Sequence, residues 1–309
     1  MRILITGGGG YIGGKLTEKL SQNHYVSVFD NLRWDQGTLI SKPMMHPRVK
    51  FYNEDIRDWS DNLRNELGRS DVVVPLAALV GAPLCERLST DAYEINQKWI
   101  EDLVPKLSSD QAIVFPNTNS SYGTCPGICD EQTPINPLSL YAKTKQAAED
   151  AVLSHKNYIS FRLATVFGWS YRPRIDLLVN NLVYLAYKQK HINVFNGKAR
   201  RNYIHIDDIC GAFSYAIEHT HRMWGVYNLG NDAINSTKEE MAKFICNATN
   251  SSISFSDHDD PDKRDYEVSS RKLDMAGFKA SIGLDYAVRE MTKFYSLCSE
   301  KDLDRCRNY

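Results

Sequence analysis

Residues 2–13, RILITGGGGYIG, set an apolar strand, a run of glycines and the start of a helix in direct succession. Gly7, Gly10 and Gly13 have the spacing G-x-x-G-x-x-G. A tight turn out of a strand needs residues that accept positive φ. A backbone bare of side chains also lets a pyrophosphate approach a helix N-terminus, where free N–H groups and the positive end of the dipole meet it. Tyr11 and Ile12, between the last two glycines, belong to the same turn. The second strand-like run, Tyr25–Asp30, ends on an acid, followed by Asn31. An acid at that place hydrogen-bonds a ribose 2′-hydroxyl and repels a 2′-phosphate, which favours NAD over NADP. The alternatives are a glycine loop without a ligand and Asp30 as a turn residue only.

Further strand-like runs follow at Val49–Tyr52, Asp71–Leu76, Ala112–Pro116 and Tyr158–Leu163, with helical patterns at Gly13–Gln22, Asp91–Leu107 and Ser139–Lys156. Such alternation predicts an α/β fold, a doubly wound parallel sheet of Rossmann type. After Gly168 the rhythm loosens. Helical patterns at Asp176–Lys188, Asp207–Glu218, Thr237–Asn247 and Tyr286–Tyr295 are joined by loops, which predicts a smaller mixed α/β domain for the substrate. The expected division is 1–168, with part of 202–232 returning to it, against 169–201 and 233–309.

Composition excludes several classes of function. The 309 residues carry 37 Lys+Arg and 38 Asp+Glu, a net charge of −1, which speaks against a nucleic-acid binder. The longest nearly apolar run, Val72–Leu84, is too short for a bilayer and holds Pro75 and Pro83. The opening glycines leave no room for a signal peptide, so we expect a cytoplasmic protein with reduced cysteines. Cys125 and Cys129 are the closest pair, with no histidine cluster nearby, and we expect no metal site.

Tyr141-Ala142-Lys143-Thr144-Lys145 places Tyr141 and Lys145 at i and i+4, on one helix face. A phenol is a poor base at neutral pH. A lysine ammonium and a cationic nicotinamide nearby favour the phenolate, so that Tyr141 takes a hydroxyl proton as hydride leaves. A bare Y-x-x-x-K is also met as a surface helix pair. Thr118, just past the fifth strand, stands where doubly wound sheets hold ligands, and its hydroxyl could hold the same substrate oxygen.

TGGGGYIG, Asp30, the Thr118 segment and YAKTK together resemble the extended short-chain dehydrogenase/reductase family of nucleotide-sugar epimerases, dehydratases and dehydrogenases. RLATVFG (162–168), RRNYIHIDD (200–208), YNLGN (227–231) and KRDYEVSSRKL (263–273) match further landmarks in order. PLAALVGAPLC (75–85), PNTNSSYG (116–123) and DPDKRDY (260–266) look most like the branch containing GDP-mannoheptose 4-dehydrogenase. The resemblance implies Tyr141 as base, Lys145 as its ribose-binding partner and Thr118 as the hydroxyl residue. It implies that Asp55 and Ile56 grip the adenine and that Leu76, Ala77 and Ala78 pass the pyrophosphate and ribose. Asn119, Ser120, Asn180, Arg201 and Arg264 fall on the substrate side, with Arg201 and Arg264 on the diphosphate. Guanidinium groups suit phosphate oxygens, although a loop arginine is also commonly solvated or ion-paired. Arg172 and Arg174 are further candidates, and His205 reads as structural.

The departures are informative. The family's 4,6-dehydratases carry acids after the hydroxyl residue, whereas this chain has Asn119 and Ser120. Its 3,5-epimerases use a cysteine where Ser120 stands, and Thr165 replaces an asparagine common in relatives. Oxidation at C4 of a nucleotide-activated, GDP-linked sugar by a 4-dehydrogenase is the expected activity; a 4-epimerase with the same residues is the alternative. A regulator that binds NAD without chemistry would lack the tyrosine–lysine pair. Relatives often form homodimers through the helices expected at Asp91–Leu107 and Ser139–Lys156, which extends that expectation to this chain.

Overall fold

The structure, a computed structural model, describes residues 1–34, 41–195, 197–256 and 265–308. Its centre is a seven-stranded, all-parallel sheet. Five strands come from the first part of the chain: β1 (Arg2–Thr6), β2 (Tyr25–Phe29), β3 (Val49–Tyr52), β4 (Val72–Pro75) and β5 (Ala112–Thr118). The spatial order runs from Gly225–Leu229 through Tyr158–Leu163 to β5, β4, β1, β2 and β3. The order reverses between β1 and β4, so the loops leaving those two strands open a crevice at the carboxyl edge.

Parallel strands covered on both faces read as continuous apolar runs, and β4, VVVP, is buried throughout. Successive residues point to opposite sides. Ile3, Ile5, Val26, Val28 and Val114 pack with Leu16 and Leu20 of α1 (Tyr11–Ser21) and with Ile209 and Phe213 of the helix Ile206–Glu218. Leu4, Phe29, Val73, Ile113 and Phe115 pack on the other face with Leu63, Trp99, Leu103, Ala148 and Val152.

A third core joins the helices Leu178–Gln189, Lys238–Thr249 and Leu284–Leu297 with the parallel pair His191–Phe195 and Ser252–Ser256. The helix Ile206–Glu218 and the strand Gly225–Leu229 sit with the large sheet. One stretch departs from the expected division: Leu273, Ala276, Phe278 and Ala280 pack into the large-sheet core, because the short helix Arg271–Met275 lies against its edge strand. Among the described residues no helix is long and apolar enough to cross a membrane.

The helical pattern at 91–107 is realised as a helix with a π-helical stretch, Tyr93–Lys98, and the one at 139–156 as Leu140–Val152. The outward side of the first carries Lys98 paired with Asp102 at 2.8 Å and Gln97 donating to Glu101 at 2.8 Å. On the second helix Lys143 and Asp150 are exposed. Tyr93 on the first helix and Leu153 at the end of the second are exposed as well.

Candidate active site

The glycine turn has the shape its composition requires. Gly7 has φ +73°, and its N–H donates to the Phe29 carbonyl at 2.7 Å. A Cβ there would come within 2.5 Å of the Ala77 backbone nitrogen. A Cβ on Gly13 would run into the Gly7 carbonyl and the Gly8 backbone. Gly10 is the N-cap of α1 and brings no capping side chain, and the first turn holds no acid. The first N–H groups of the helix therefore stay available to an anion.

Asp30 leaves β2 beside this turn. Its carboxylate accepts from the Gly9 N–H at 2.9 Å and the Leu32 N–H at 2.8 Å. Burial raises its pKa, and those two bonds oppose the rise. Asp55 caps the short helix Ile56–Asp58. It is held by Arg57, which lowers its pKa to about 2, and it accepts from Asn31 at 2.9 Å.

One cleft of about 900 Å³ gathers most of the expected residues. Gly7, Gly10, Tyr11, Ile12, Gly13, Asp30, Asn31, Asp55, Ile56, Leu76, Ala77 and Ala78 line it on the sheet side. Thr118, Ser120, Tyr141, Lys145, Arg172, Arg174 and Arg201 line it as well. The room suits a small-molecule site. The bare glycine cradle, the open helix N-terminus and the Asp30 carboxylate fit a dinucleotide with a free ribose 2′-hydroxyl.

Thr118 closes β5, and its Oγ1 accepts from the Ser120 N–H at 3.1 Å. The hydroxyl keeps its own proton to donate. The helix Leu140–Val152 starts at Ser139, whose hydroxyl accepts from the Ala142 N–H at 3.2 Å. It presents Tyr141, partly buried, and Lys145, 3% exposed, one turn apart. The Lys145 Nζ lies 4.1 Å from the centre of the Phe115 ring. Burial brings this ammonium down to about 7, with Glu149 and Cys85 pulling the other way.

Glu149 stands one turn further along the helix. It accepts from Arg162 Nη2 at 2.8 Å and Nε at 3.1 Å, and from Ser160 at 2.6 Å. Arg162 donates on to Tyr122 at 3.1 Å, and Tyr122 to Asn228 at 2.7 Å. This buried chain pins the helix Leu140–Val152 to the strands beneath it.

Two of the expected substrate residues do not line the cleft. Asn180 does not line the cleft; its amide bonds the Gly168 N–H at 3.0 Å and the Arg174 carbonyl at 2.9 Å. It shapes the loop backbone, and its neighbour Asn181 reaches the cleft instead. Asn119 does not line the cleft either: it is 1% exposed, and among the described residues its amide has no hydrogen-bond partner. Arg264 lies outside the described residues.

Arg201 is buried, donates to the Arg200 carbonyl at 2.6 Å and sits 5.5 Å from the Tyr266 ring centre. Arg174 is committed to Asp176, donating from Nε and Nη2 along one edge of its guanidinium. The Tyr11 hydroxyl donates to the Gly168 carbonyl at 2.7 Å, and burial raises its pKa. His205 caps the helix Ile206–Glu218 and meets Glu290 at 3.1 Å. With Asp207 these two form a cluster of metal-ligating residues, but the Lys15 ammonium sits 2.6 Å from Asp207 and serves as its cation.

The reading of the sequence missed the helix Ala82–Arg87, which lines the cleft; Gly81 followed by Pro83 is a helix-start signal. It also missed Tyr266 and Asn308. Tyr266 lies in a landmark segment, whereas nothing local marks Asn308.

Known proteins share this fold. A putative UDP-glucose 4-epimerase of Methanocaldococcus jannaschii is 26% identical over 227 residues, 68% of this chain and 71% of that one. The structure of a UDP-glucuronic acid 4-epimerase from Bacillus cereus, in complex with UDP-glucuronic acid and NAD, superposes with a TM-score of 0.84 at 22% identity, over 96% of this chain and 99% of that one. A UDP-N-acetylglucosamine 4-epimerase from Methanobrevibacter ruminantium gives 0.86 at 22% identity, over 96% and 99%. At these identities the two structures speak for the fold. Residues 3–230 match the model of the NAD dependent epimerase/dehydratase family, and the chain belongs to that family of NAD-dependent enzymes.

Proposed function

We propose that the enzyme oxidises C4 of a nucleotide-activated sugar, with Tyr141 as general base, Lys145 as the cation that favours its phenolate, and Thr118 as the hydroxyl that holds the reacting oxygen. The observation that carries this reading is that all three side chains line the same cleft as the glycine turn and Asp30. NAD, when bound, supplies the hydride acceptor. Lys145 acts from a buried position over Phe115, where a charge is felt more strongly than in water. Thr118 donates its remaining proton to the sugar oxygen while Tyr141 takes the hydroxyl proton. Arg201, and Arg264 by the resemblance, hold the sugar-nucleotide diphosphate.

Elimination of water forms no part of the proposal. Asn119 and Ser120 stand where the dehydratases carry acids, and Asn119 lies outside the cleft. The keto sugar then has two fates. Release makes the enzyme a 4-dehydrogenase of a GDP-linked, mannoheptose-like sugar, which the segments 75–85, 116–123 and 260–266 support. Reduction from the opposite face makes it a 4-epimerase, which the name of the M. jannaschii relative supports.

The proposal places the dinucleotide on 1–168 with 202–232 and the sugar nucleotide largely on the remainder. It sets the enzyme in the cytoplasm, which the seven free thiols suit. A homodimer through the helices expected at 91–107 and 139–156 belongs to the same reading, and light scattering at micromolar concentration tests it. Mass spectrometry of reactions with GDP- and UDP-sugars in deuterated water tests the chemistry. A product two mass units lighter means release of the ketone, and a new isomer means epimerisation. A loss of eighteen overturns the proposal.

A further inference from the structure

Arg172 lies on the loop between the strand Thr165–Phe167 and the helix Leu178–Gln189. That loop is clamped to α1. The Tyr11 hydroxyl donates to the Gly168 carbonyl, the Ser170 hydroxyl to the Tyr11 carbonyl at 2.5 Å, and the Tyr171 hydroxyl to Glu18 at 2.5 Å. Arg172 is therefore carried to the end of the cleft where α1 begins.

Its side chain is 3% exposed and lines the cleft. A guanidinium has five N–H donors and no acceptor. The protein offers this one two carbonyl oxygens, from Arg307 at 3.2 Å and from the adjacent Pro173 at 3.5 Å. Among the described residues no carboxylate lies within ion-pair range of it, whereas Arg174, two residues on, is paired with Asp176 through Nε and Nη2. A buried cation without a counter-charge is costly. Burial, then repulsion from Arg174, brings Arg172 down to about 10, and Asp30 across the cleft is among the acids that oppose the fall. The C-terminal segment is stitched to the same loop, with the Ile175 N–H donating to the Cys306 carbonyl at 2.9 Å. It brings Asn308 into the cleft lining, with a buried side-chain oxygen that has no partner among the described residues.

We propose that Arg172 binds the diphosphate of the dinucleotide, acting together with the N–H groups at the start of α1, and that the C-terminal segment positions it through the Arg307 carbonyl. The inference rests on NAD occupying the glycine turn. Among diphosphates it selects the dinucleotide over the sugar nucleotide, because Arg172 is fastened to α1 and faces the charge of Asp30.

The test is calorimetric titration of the full chain, freed of bound cofactor, with NAD, ADP-ribose, adenosine, UDP and GDP. Arg172→Gln should weaken NAD and ADP-ribose about 10–100-fold, as expected for lost charge-assisted hydrogen bonds. Adenosine, UDP and GDP should bind as to the wild type. Unchanged NAD affinity overturns the proposal, and so does a loss on UDP or GDP in place of NAD. Equal weakening of adenosine and NAD overturns it too, since it marks a merely structural role. If Arg172→Gln does not fold, Arg172→Lys carries the same comparison with a smaller loss. Failure of wild-type protein to bind NAD would instead refute the cofactor reading itself.

Discussion

Replacing Lys145 by methionine should make the cofactor-free protein more stable and the enzyme inactive. Methionine fills the space of the lysine stem without a charge. The side chain is 3% exposed, and burial brings its ammonium from the ordinary lysine value of 10.5 to about 7. That gap corresponds to roughly 4–5 kcal/mol against folding, an upper bound that water entering the open cleft reduces to about 2–3 kcal/mol. The folded pKa lies below the unfolded one, so the unfolded chain binds more protons between them. The cost is fully present below about 7 and vanishes as pH rises toward 10.5. Urea denaturation of both proteins at pH 6 and at pH 9.5 reads it. Lys145→Met should be the more stable at pH 6, and its advantage should shrink at pH 9.5. Equal or lower stability of the variant at pH 6, or a difference that does not change with pH, would refute the reasoning.

Three further outcomes follow from the same geometry. Gly13→Ala should weaken NAD at least tenfold by titration, because the added Cβ meets the Gly7 carbonyl and the backbone cannot yield; the overpacking alone costs about 1–3 kcal/mol. Asp30→Ala should lower NAD affinity about 10–100-fold and narrow its preference over NADP, with the carboxylate as the proposed ribose acceptor; an unchanged NAD/NADP ratio would contradict that role. Glu149→Gln should cost about 3–5 kcal/mol in urea denaturation, because it strips a buried Arg162 of its counter-charge.

Much of the sheet was legible because its strands are local and bounded by turn chemistry. β1, β3 and Tyr158–Leu163 fall on the residues their apolar runs predict. The strand Gly225–Leu229, which completes the sheet edge, carries too short an apolar run to stand out by itself, and a long return of the chain places it. The glycine turn and Tyr141-x-x-x-Lys145 were visible because spacing alone fixes their geometry.

Asn180 falls outside the cleft lining for a physical reason. Along a helix, neighbouring residues point in different directions, and only the packing of the loop decides that Asn181 meets the cleft while Asn180 ties the Gly168 turn. Asn119 likewise sits beside Thr118 in sequence yet on the buried side of the tight Asn119–Tyr122 turn. The burial of Lys145 and the open charge of Arg172 depend on contacts remote in sequence, with Phe115 and Arg307, which no local pattern announces.

The central claim is that the phenol of Tyr141 takes the proton as C4 of the sugar is oxidised. Turnover of GDP- and UDP-sugars by wild type and Tyr141→Phe, with NAD affinity measured alongside, tests it most directly. We predict that the variant binds NAD as well as the wild type and turns over the accepted sugar about 10²–10⁴-fold more slowly. Equal turnover by the two proteins would contradict it.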